Sequence, residues 1–259
     1  MIRSNIMNLR ERRALTLSLL ETHGEVSVAD LSRRAGVSEM TVRRDLEALE
    51  GRGVLVRLHG RAVAPVSRSY EPPFDVRVES APFAKEKIGA LCANLIVEGE
   101  TVVLDVGTTT LEVARALMGR RNITVLTPSL PIANVLAEEP GIRLMLTGGV
   151  LRPGERSLVG ELAVGSFREF RFDTVVLGVG GIDIEDGLTE YNLDDARVKR
   201  AAIEIARRII VVADATKLGR VAFARICSLE EVDILVTDDA ARPDLVASLA
   251  SAGVEVRLA

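Results

Sequence analysis

Apolar residues recur along this chain with two different periods, and the change of period divides it. Within residues 7–22 the spacing of Leu9, Leu15, Leu19 and Leu20 is helical, and Gly24 ends the stretch. Ser27 opens a second, short helix with Val28, Leu31 and Ala35 facing inward, and Gly36 stops it. Ser38 then caps a third, whose buried stripe is Val42, Leu46 and Leu49. Helix, glycine-bearing turn, helix is the helix-turn-helix pattern. From Val54 to Val63 the residues alternate about Gly60, which predicts a β-hairpin.

Residues 65–82 carry Pro65, Pro72, Pro73 and Pro82 without a sustained period and read as a linker. A helix follows over 85–96, with Ile88, Leu91, Cys92 and Leu95 inward. Beyond Thr101, short apolar runs alternate with helical stretches, the mark of a parallel sheet with crossover helices. Strands are predicted near 101–106, 122–126, 142–147, 173–178, 208–213, 233–237 and 254–257. The pattern therefore gives an α/β chain: a small head (1–64, with its helix-turn-helix over 26–45 and a wing over 54–63), a linker (65–82) and a body (83–259).

At 259 residues, nearly half of them apolar, the chain can bury a large core and a small one. Its longest apolar run, Ile209 to Ala213, is far short of the roughly 20 residues a membrane span needs. Met1 to Asn5, leading into Arg10 to Arg13, does not read as a signal peptide. Two cysteines far apart, Cys92 and Cys227, fit a reducing cytoplasm, and neither a metal cluster nor a cofactor is expected. The charge is split unevenly. Residues 1–64 hold 11 arginines and no lysine against 8 acidic side chains, a positive balance. The remaining 22 basic and 29 acidic residues leave the rest negative. A basic head on an acidic body fits a head that touches phosphate backbones.

The third helix leaves Thr41, Arg43 and Arg44 near its N-terminal half, where a recognition helix meets base edges in the major groove. The competing reading of the arginine pair is a solvated face balanced by Asp45 and Glu47. A hairpin directly after such a helix, with Arg57, His59, Gly60 and Arg61 about its tip, is placed as a wing along the sugar-phosphate backbone.

In the body, the predicted strand ends share a chemistry. They carry Asp105-x-Gly107-Thr108-Thr109-Thr110, Thr127-Pro128-Ser129, Thr147-Gly148-Gly149, Gly178-x-Gly180-Gly181-Ile182-Asp183 and Asp214-x-Thr216-Lys217-x-Gly219. Open α/β sheets bind ligands beyond these carboxyl ends. Gly107 allows a sharp turn into a helix whose start offers three threonines and free N–H groups to a phosphate, and Lys217 adds a compact positive charge. Each element also has a plain reading, as helix cap, turn, close packing or surface lysine. Their recurrence on one rim is what favours an anion site.

The run Val37-Ser38-x-x-Thr41-Val42-Arg43-Arg44-Asp45-Leu46-x-x-Leu49, with Arg57-x-His59-Gly60 after it, resembles the DeoR-type transcription regulators. The Asp105-x-Gly107-Thr108-Thr109, Thr147-Gly148-Gly149, Gly180-Gly181-Ile182-Asp183 and Asp214-x-Thr216-Lys217-x-Gly219 motifs match that family's effector domain, as does Gly187-Leu188-Thr189-Glu190-x-Asn192 leading into a helix with Lys199, so the likeness covers essentially the whole chain. Arg61 departs from it, standing where the family usually has a second glycine. The resemblance implies a winged helix-turn-helix binding double-stranded operator DNA through Ser38, Thr41, Val42, Arg43, Arg44, Arg57, His59 and Gly60. It also implies a Rossmann-like, mostly parallel-sheet domain resembling ribose-5-phosphate isomerase. In that domain Asp105, Gly107, Thr108, Thr109, Thr110, Gly148, Gly149, Gly180, Gly181, Glu190, Lys199 and Lys217 would take a phosphorylated sugar. A homo-oligomer, dimer or tetramer, and repression rather than activation rest on the same resemblance.

An alternative is a sugar-phosphate isomerase with an appended head, with Asp105, Asp183 and Glu190 as acid/base candidates. Against it, both histidines lie in the head and an enzyme has no need of a winged reader. Gly178 to Gly181 lacks the dinucleotide glycine order, and no Gly-Lys-Ser/Thr follows any strand.

Overall fold

The computed structural model describes residues 6–65 and 67–259; Met1 to Asn5, read above for a leader, and Val66 of the proline-bearing stretch lie outside the described residues. The chain forms two compact units, Met1–Pro82 and Phe83–Ala259.

In the first unit α1 (Leu9–His23) starts at a reciprocal cap. Asn8 Oδ1 accepts from the Glu11 N–H at 3.0 Å while the Glu11 carboxylate accepts from the Asn8 N–H at 2.7 Å. Gly24 ends it in a left-handed conformation. Then come β1 (Glu25–Ser27), α2 (Val28–Ala35) capped by Ser27, α3 (Glu39–Gly51) capped by Ser38, β2 (Val56–Leu58) and β3 (Arg61–Val63). The hairpin gains a third strand, in the order β1-β3-β2, with Val26 opposite Ala62. Three residues are too few to betray β1 by alternation. Leu17, Leu20, Leu31, Val42, Leu46, Leu49, Val54 and Leu55 form the core of this unit.

The stretch expected as a bare linker carries α4 (Phe74–Glu79). Its Val76 is 1% exposed and belongs to the same core cluster as Leu46 and Leu49. Polar contacts hold the stretch down. Tyr70 Oη donates to the Gly53 carbonyl at 2.7 Å, Arg77 pairs with Glu71 at 3.0 Å, and Arg52 reaches Asp75 at 2.5 Å. A six-residue helix holds too few apolar positions for its period to stand out, and the prolines conceal it.

The second unit runs α5 (Pro82–Asn94), β4 (Thr101–Leu104), α6 (Thr108–Ala116), β5 (Ile123–Thr127), α7 (Leu130–Leu136), β6 (Ile142–Leu146), β7 (Val150–Arg152), β8 (Ser157–Val159), α8 (Glu161–Arg168) and β9 (Phe172–Leu177). It continues with β10 (Gly181–Asp183), β11 (Gly187–Glu190), α9 (Leu193–Glu204), β12 (Ala206–Val212), β13 (Ala224–Cys227), β14 (Ile234–Thr237), α10 (Pro243–Ser251) and β15 (Glu255–Leu258). The seven expected strands form one parallel sheet in the order β15-β14-β12-β9-β4-β5-β6. Val102 to Leu104, Val175 to Leu177 and Ile210 to Val212 are buried on both faces, as central parallel strands require.

From β4 the chain steps outward through β5 to β6, then returns to lay β9 on the other side of β4 and moves outward again through β12, β14 and β15. The direction of winding thus reverses between β4 and β9, and open α/β sheets bind ligands at the carboxyl ends beside such a point. An antiparallel sheet, β10-β11-β13, and the β7-β8 hairpin are the strands that periodicity did not reveal. Cys92 and Cys227 are buried and unbridged, and burial pushes each thiol up to about 12, so they serve as core packing. Among the described residues no helix is long and apolar enough to cross a membrane.

The packing of α4 has a measurable consequence. Val76→Ala should destabilise the first unit by about 2 kcal/mol, from lost burial and the small cavity left behind. Urea unfolding of fragment 1–82 measures this; a midpoint equal to the wild type's would make 65–82 a tether after all.

Candidate functional site

The exposed face of α3 begins with its cap. Ser38 Oγ accepts from the Thr41 N–H at 3.2 Å and lies 3.0 Å from Thr41 Oγ1, so both hydroxyls are engaged in starting the helix. Arg43 and Arg44 point to solvent. Arg43 pairs with Glu39 one turn earlier at 2.7 Å, whereas Arg44 makes no ion pair among the described residues. Asp45 does not balance either of them. It holds Arg12 with two hydrogen bonds, 2.6 and 3.2 Å, tying α3 to α1 and raising Arg12 above its ordinary value through that hydrogen bond.

Two expectations need correcting here. Val42 is 3% exposed inside the head core and is turned away from any partner of α3, because it belongs to the Val42-Leu46-Leu49 stripe. Arg57 is not a free charge at the wing. Its Nε lies 2.7 Å from Glu50, its backbone N–H donates to the same carboxylate at 3.0 Å, and Glu47 stands 3.7 Å away. Arg61, at the departure from the family pattern, pairs with Glu25 at 2.7 Å across the sheet. His59 and Gly60 form the exposed turn, where Gly60 has φ 72°. Met40, more than half exposed on α3, was not singled out by the sequence.

In the second unit the switch-point rim at the end of β4 is built around Gly107, whose φ of 140° turns the chain from β4 into α6. No side chain caps α6, so the N–H groups of its first turn, at Thr108 to Thr110, are left at the positive end of the helix dipole. The Thr110 hydroxyl is engaged locally, donating to the Gly107 carbonyl at 2.9 Å.

Behind the rim lies a buried ion cluster. The Lys199 ammonium, from α9, bonds to Asp105 Oδ2, to the Gly178 carbonyl at 2.9 Å, and reaches Glu190 Oε2 at 3.2 Å. Asp105 Oδ2 also accepts from the Gly178 N–H at 3.0 Å. Burial alone would lower Lys199, but Asp105 and Glu190 together raise it above its ordinary value. Burial likewise pushes Asp105 above the usual carboxylate range, against the pull of Lys199. Asp105, Glu190 and Lys199 thus stand together, with their charges turned on one another.

The glycine turns are explained by packing. Gly148 N–H donates to Ser166 Oγ at 3.1 Å, and a Cβ on Gly149 would stand 2.6 Å from the Val159 carbonyl of the hairpin. On Gly180 a Cβ would press the Tyr191 ring at 3.1 Å, and on Gly181 it would collide with the Arg220 carbonyl at 2.2 Å. Lys217 stands with its ammonium 3.4 Å from Tyr191 Oη. Asp214 is buried, yet Lys217, Lys85 and hydrogen bonds from Thr216 hold it below the usual carboxylate range. The sequence offers no motif that picks out Tyr191 and Arg220. It also passed over Asp195 at the start of α9, which accepts from Ser157 Oγ at 2.8 Å and pairs with Arg152 at 2.6 Å.

The ion cluster can be tested directly. Lys199→Met should cost about 3–5 kcal/mol, because two carboxylates remain buried without their cation. Adding Asp105→Asn should recover part of that loss in thermal unfolding; additive losses would show that the two residues do not act as a pair.

Comparison with known proteins agrees with both units. The DeoR-like helix-turn-helix domain matches residues 12–68 and the DeoR C-terminal sensor domain residues 81–239. The HTH-type transcriptional regulator GlpR of Haloferax volcanii is 38% identical over 95% of this chain and 96% of its own length. The glycerol-3-phosphate regulon repressor of Escherichia coli K12 is 35% identical over 90% and 92%. The HTH-type transcriptional repressor GlcR of Bacillus subtilis is 34% identical over 90% and 89%. Among solved structures, ribose 5-phosphate isomerase A of Methanocaldococcus jannaschii superposes with a TM-score of 0.41 at 16% identity, over 54% of this chain and 55% of its own, a likeness too loose to bear on function. With a helix-turn-helix head and a sensor body matched in sequence along nearly the whole chain, this protein belongs to the DeoR family.

Proposed function

We propose that this chain is a cytoplasmic transcriptional repressor of a carbohydrate operon, released from double-stranded operator DNA when its body binds a phosphorylated sugar. The observation that carries the reading is the pairing, in one chain, of an arginine-bearing α3 with an uncapped α6 N-terminus at the sheet's switch point. Support also comes from relatives named as repressors, among them one of a glycerol-3-phosphate regulon.

Arg44, Arg43 and Thr41 on α3, with His59 and Gly60 on the wing, would meet the duplex; Ser38 sets the start of the helix. The effector's phosphoryl group would lie on the N–H groups of Thr108 to Thr110 beside Gly107. Lys199, Asp105 and Glu190 would hold the floor of that seat, and Lys217 its far side. A dimer or tetramer would set two heads at half-site spacing, and the effector would act by favouring an arrangement that binds the operator less well.

The isomerase alternative is weakened by where its carboxylates are. Asp105 and Glu190 face Lys199, and Asp183 accepts from the N–H groups of Glu185 and Asp186 at 2.9 and 3.2 Å within a turn. None is held ready for proton transfer to a substrate.

Arg44→Ala should weaken binding to duplexes selected by the protein from a random-sequence pool by about 1–3 kcal/mol if its side chain reads a base. A loss spread evenly over all sequences would instead make Arg44 a phosphate contact, and no loss would remove it from the interface. A melting-point screen of the whole protein against phosphorylated and unphosphorylated sugars tests the sensor, since a ligand that binds only the folded state raises the melting temperature. Equal responses to both classes would rule out a phosphate seat.

A further inference from the structure

Met40 is an apolar side chain left in water on the helix that carries Arg43 and Arg44. It stands in the first turn of α3 and is 58% exposed, whereas Val42, Leu46 and Leu49 of the same helix are buried in the head core. A single exposed apolar residue is ordinary on a protein surface and means nothing alone. Its position among the neighbouring side chains gives it a use.

Most polar side chains around it are already engaged within the head. Ser38 Oγ accepts from the Thr41 N–H and lies 3.0 Å from Thr41 Oγ1. Glu39 is paired with Arg43 at 2.7 Å, and Asp45 with Arg12 at 2.6 Å. Arg44 is exposed and makes no ion pair among the described residues. Met40 and Arg44 are four residues apart, so they stand one above the other on one helix face, with Cβ atoms about 5–6 Å apart. That face therefore presents an apolar chain beside a guanidinium.

The N-terminal residues of a recognition helix are the ones that reach base edges. In the major groove, guanine offers two acceptors to an arginine, and thymine offers a C5 methyl group to an apolar side chain. An unbranched thioether chain adapts its shape to such a contact. Four residues of helix rise about 6 Å, and base pairs follow one another every 3.4 Å or so, which puts the two contacts within about two base pairs.

We propose that Met40 packs on the C5 methyl group of a thymine in the operator and makes the protein select thymine at that position. The inference rests on the reading of α3 as the helix that meets the duplex, and it names a base chemistry that this helix selects.

The test uses the whole protein and duplexes that it selects from a random-sequence pool. Each thymine of a selected site is replaced in turn by deoxyuridine, which lacks only the methyl group, and affinity is measured at one fixed salt concentration. At one position the replacement should weaken binding about fourfold, the effect of one methyl group taken out of water. Met40→Ala, at an exposed position where alanine suits a helix well, should keep the melting temperature and bind the thymine and deoxyuridine duplexes alike. A selected site with no sensitive thymine would overturn the proposal while leaving operator binding in place. So would a deoxyuridine penalty that survives in Met40→Ala, since the methyl contact would then belong to another side chain, Thr41 among them. If the protein selects no duplex, the reading of α3 itself fails, and this proposal with it.

Discussion

The Lys199 ammonium is a full charge held where water does not reach, and the second unit is arranged about it. An ammonium has three protons to donate. Here three acceptors meet it: the carboxylate that follows β4, the carbonyl that follows β9, and the carboxylate that ends β11. Taking these charges out of water is costly, so the cluster is tolerable only because every donor is met and two carboxylates oppose one cation. Gly178 makes the arrangement possible. A Cβ there would stand 2.8 Å from the Val106 carbonyl, forcing apart the two strand ends that Asp105 bridges through the Gly178 N–H.

That constraint determines what the rim can offer a ligand. The acidic groups nearest the switch point, Asp105 and Glu190, are turned on Lys199, and the first turn of α6 beside them carries no side-chain cap. A helix N-terminus with the neighbouring carboxylates turned away favours anions and disfavours cations. On the proposed reading, the same side chains that look acidic and catalytic in a list of strand-end residues would act as the scaffold of an anion site.

The main sheet was legible in the sequence because parallel strands buried on both faces read as unbroken apolar runs, which little else of that length resembles. The helices of the head were legible for a second reason, since Ser38, Gly24 and Gly36 mark ends that the apolar stripe confirms. The three- and four-residue strands β7, β8, β10, β11 and β13 were not, because a period of two cannot establish itself over so short a run. Val76 escaped notice for the same reason, as a single apolar anchor among prolines. Val42 shows a different failure. Its place in the apolar stripe and its place in the reader motif gave incompatible orientations, and a helix can present a side chain to only one side. Gly149, Gly180 and Gly181 were read as room for a ligand. In the fold they are room for protein, and the residue type alone does not distinguish the two.

Charge counting from sequence also misjudges which arginines of the head are available. Arg12, partly buried, with two hydrogen bonds to Asp45, and Arg57, clasped by Glu50, are built into the unit; freeing either would strand a carboxylate beside its own backbone contacts. Arg43 is bound differently. Its partner Glu39 lies one turn away on an exposed face, and such a pair is worth only a few tenths of a kcal/mol, about 0.3–0.5. A phosphate oxygen offers more than that, so Arg43 could exchange Glu39 for a nucleic-acid backbone at little cost, and Arg44 makes no ion pair among the described residues that it would have to give up. On the proposed reading the positive face that meets DNA lies in the first two turns of α3, and the head's overall charge is a poor measure of it.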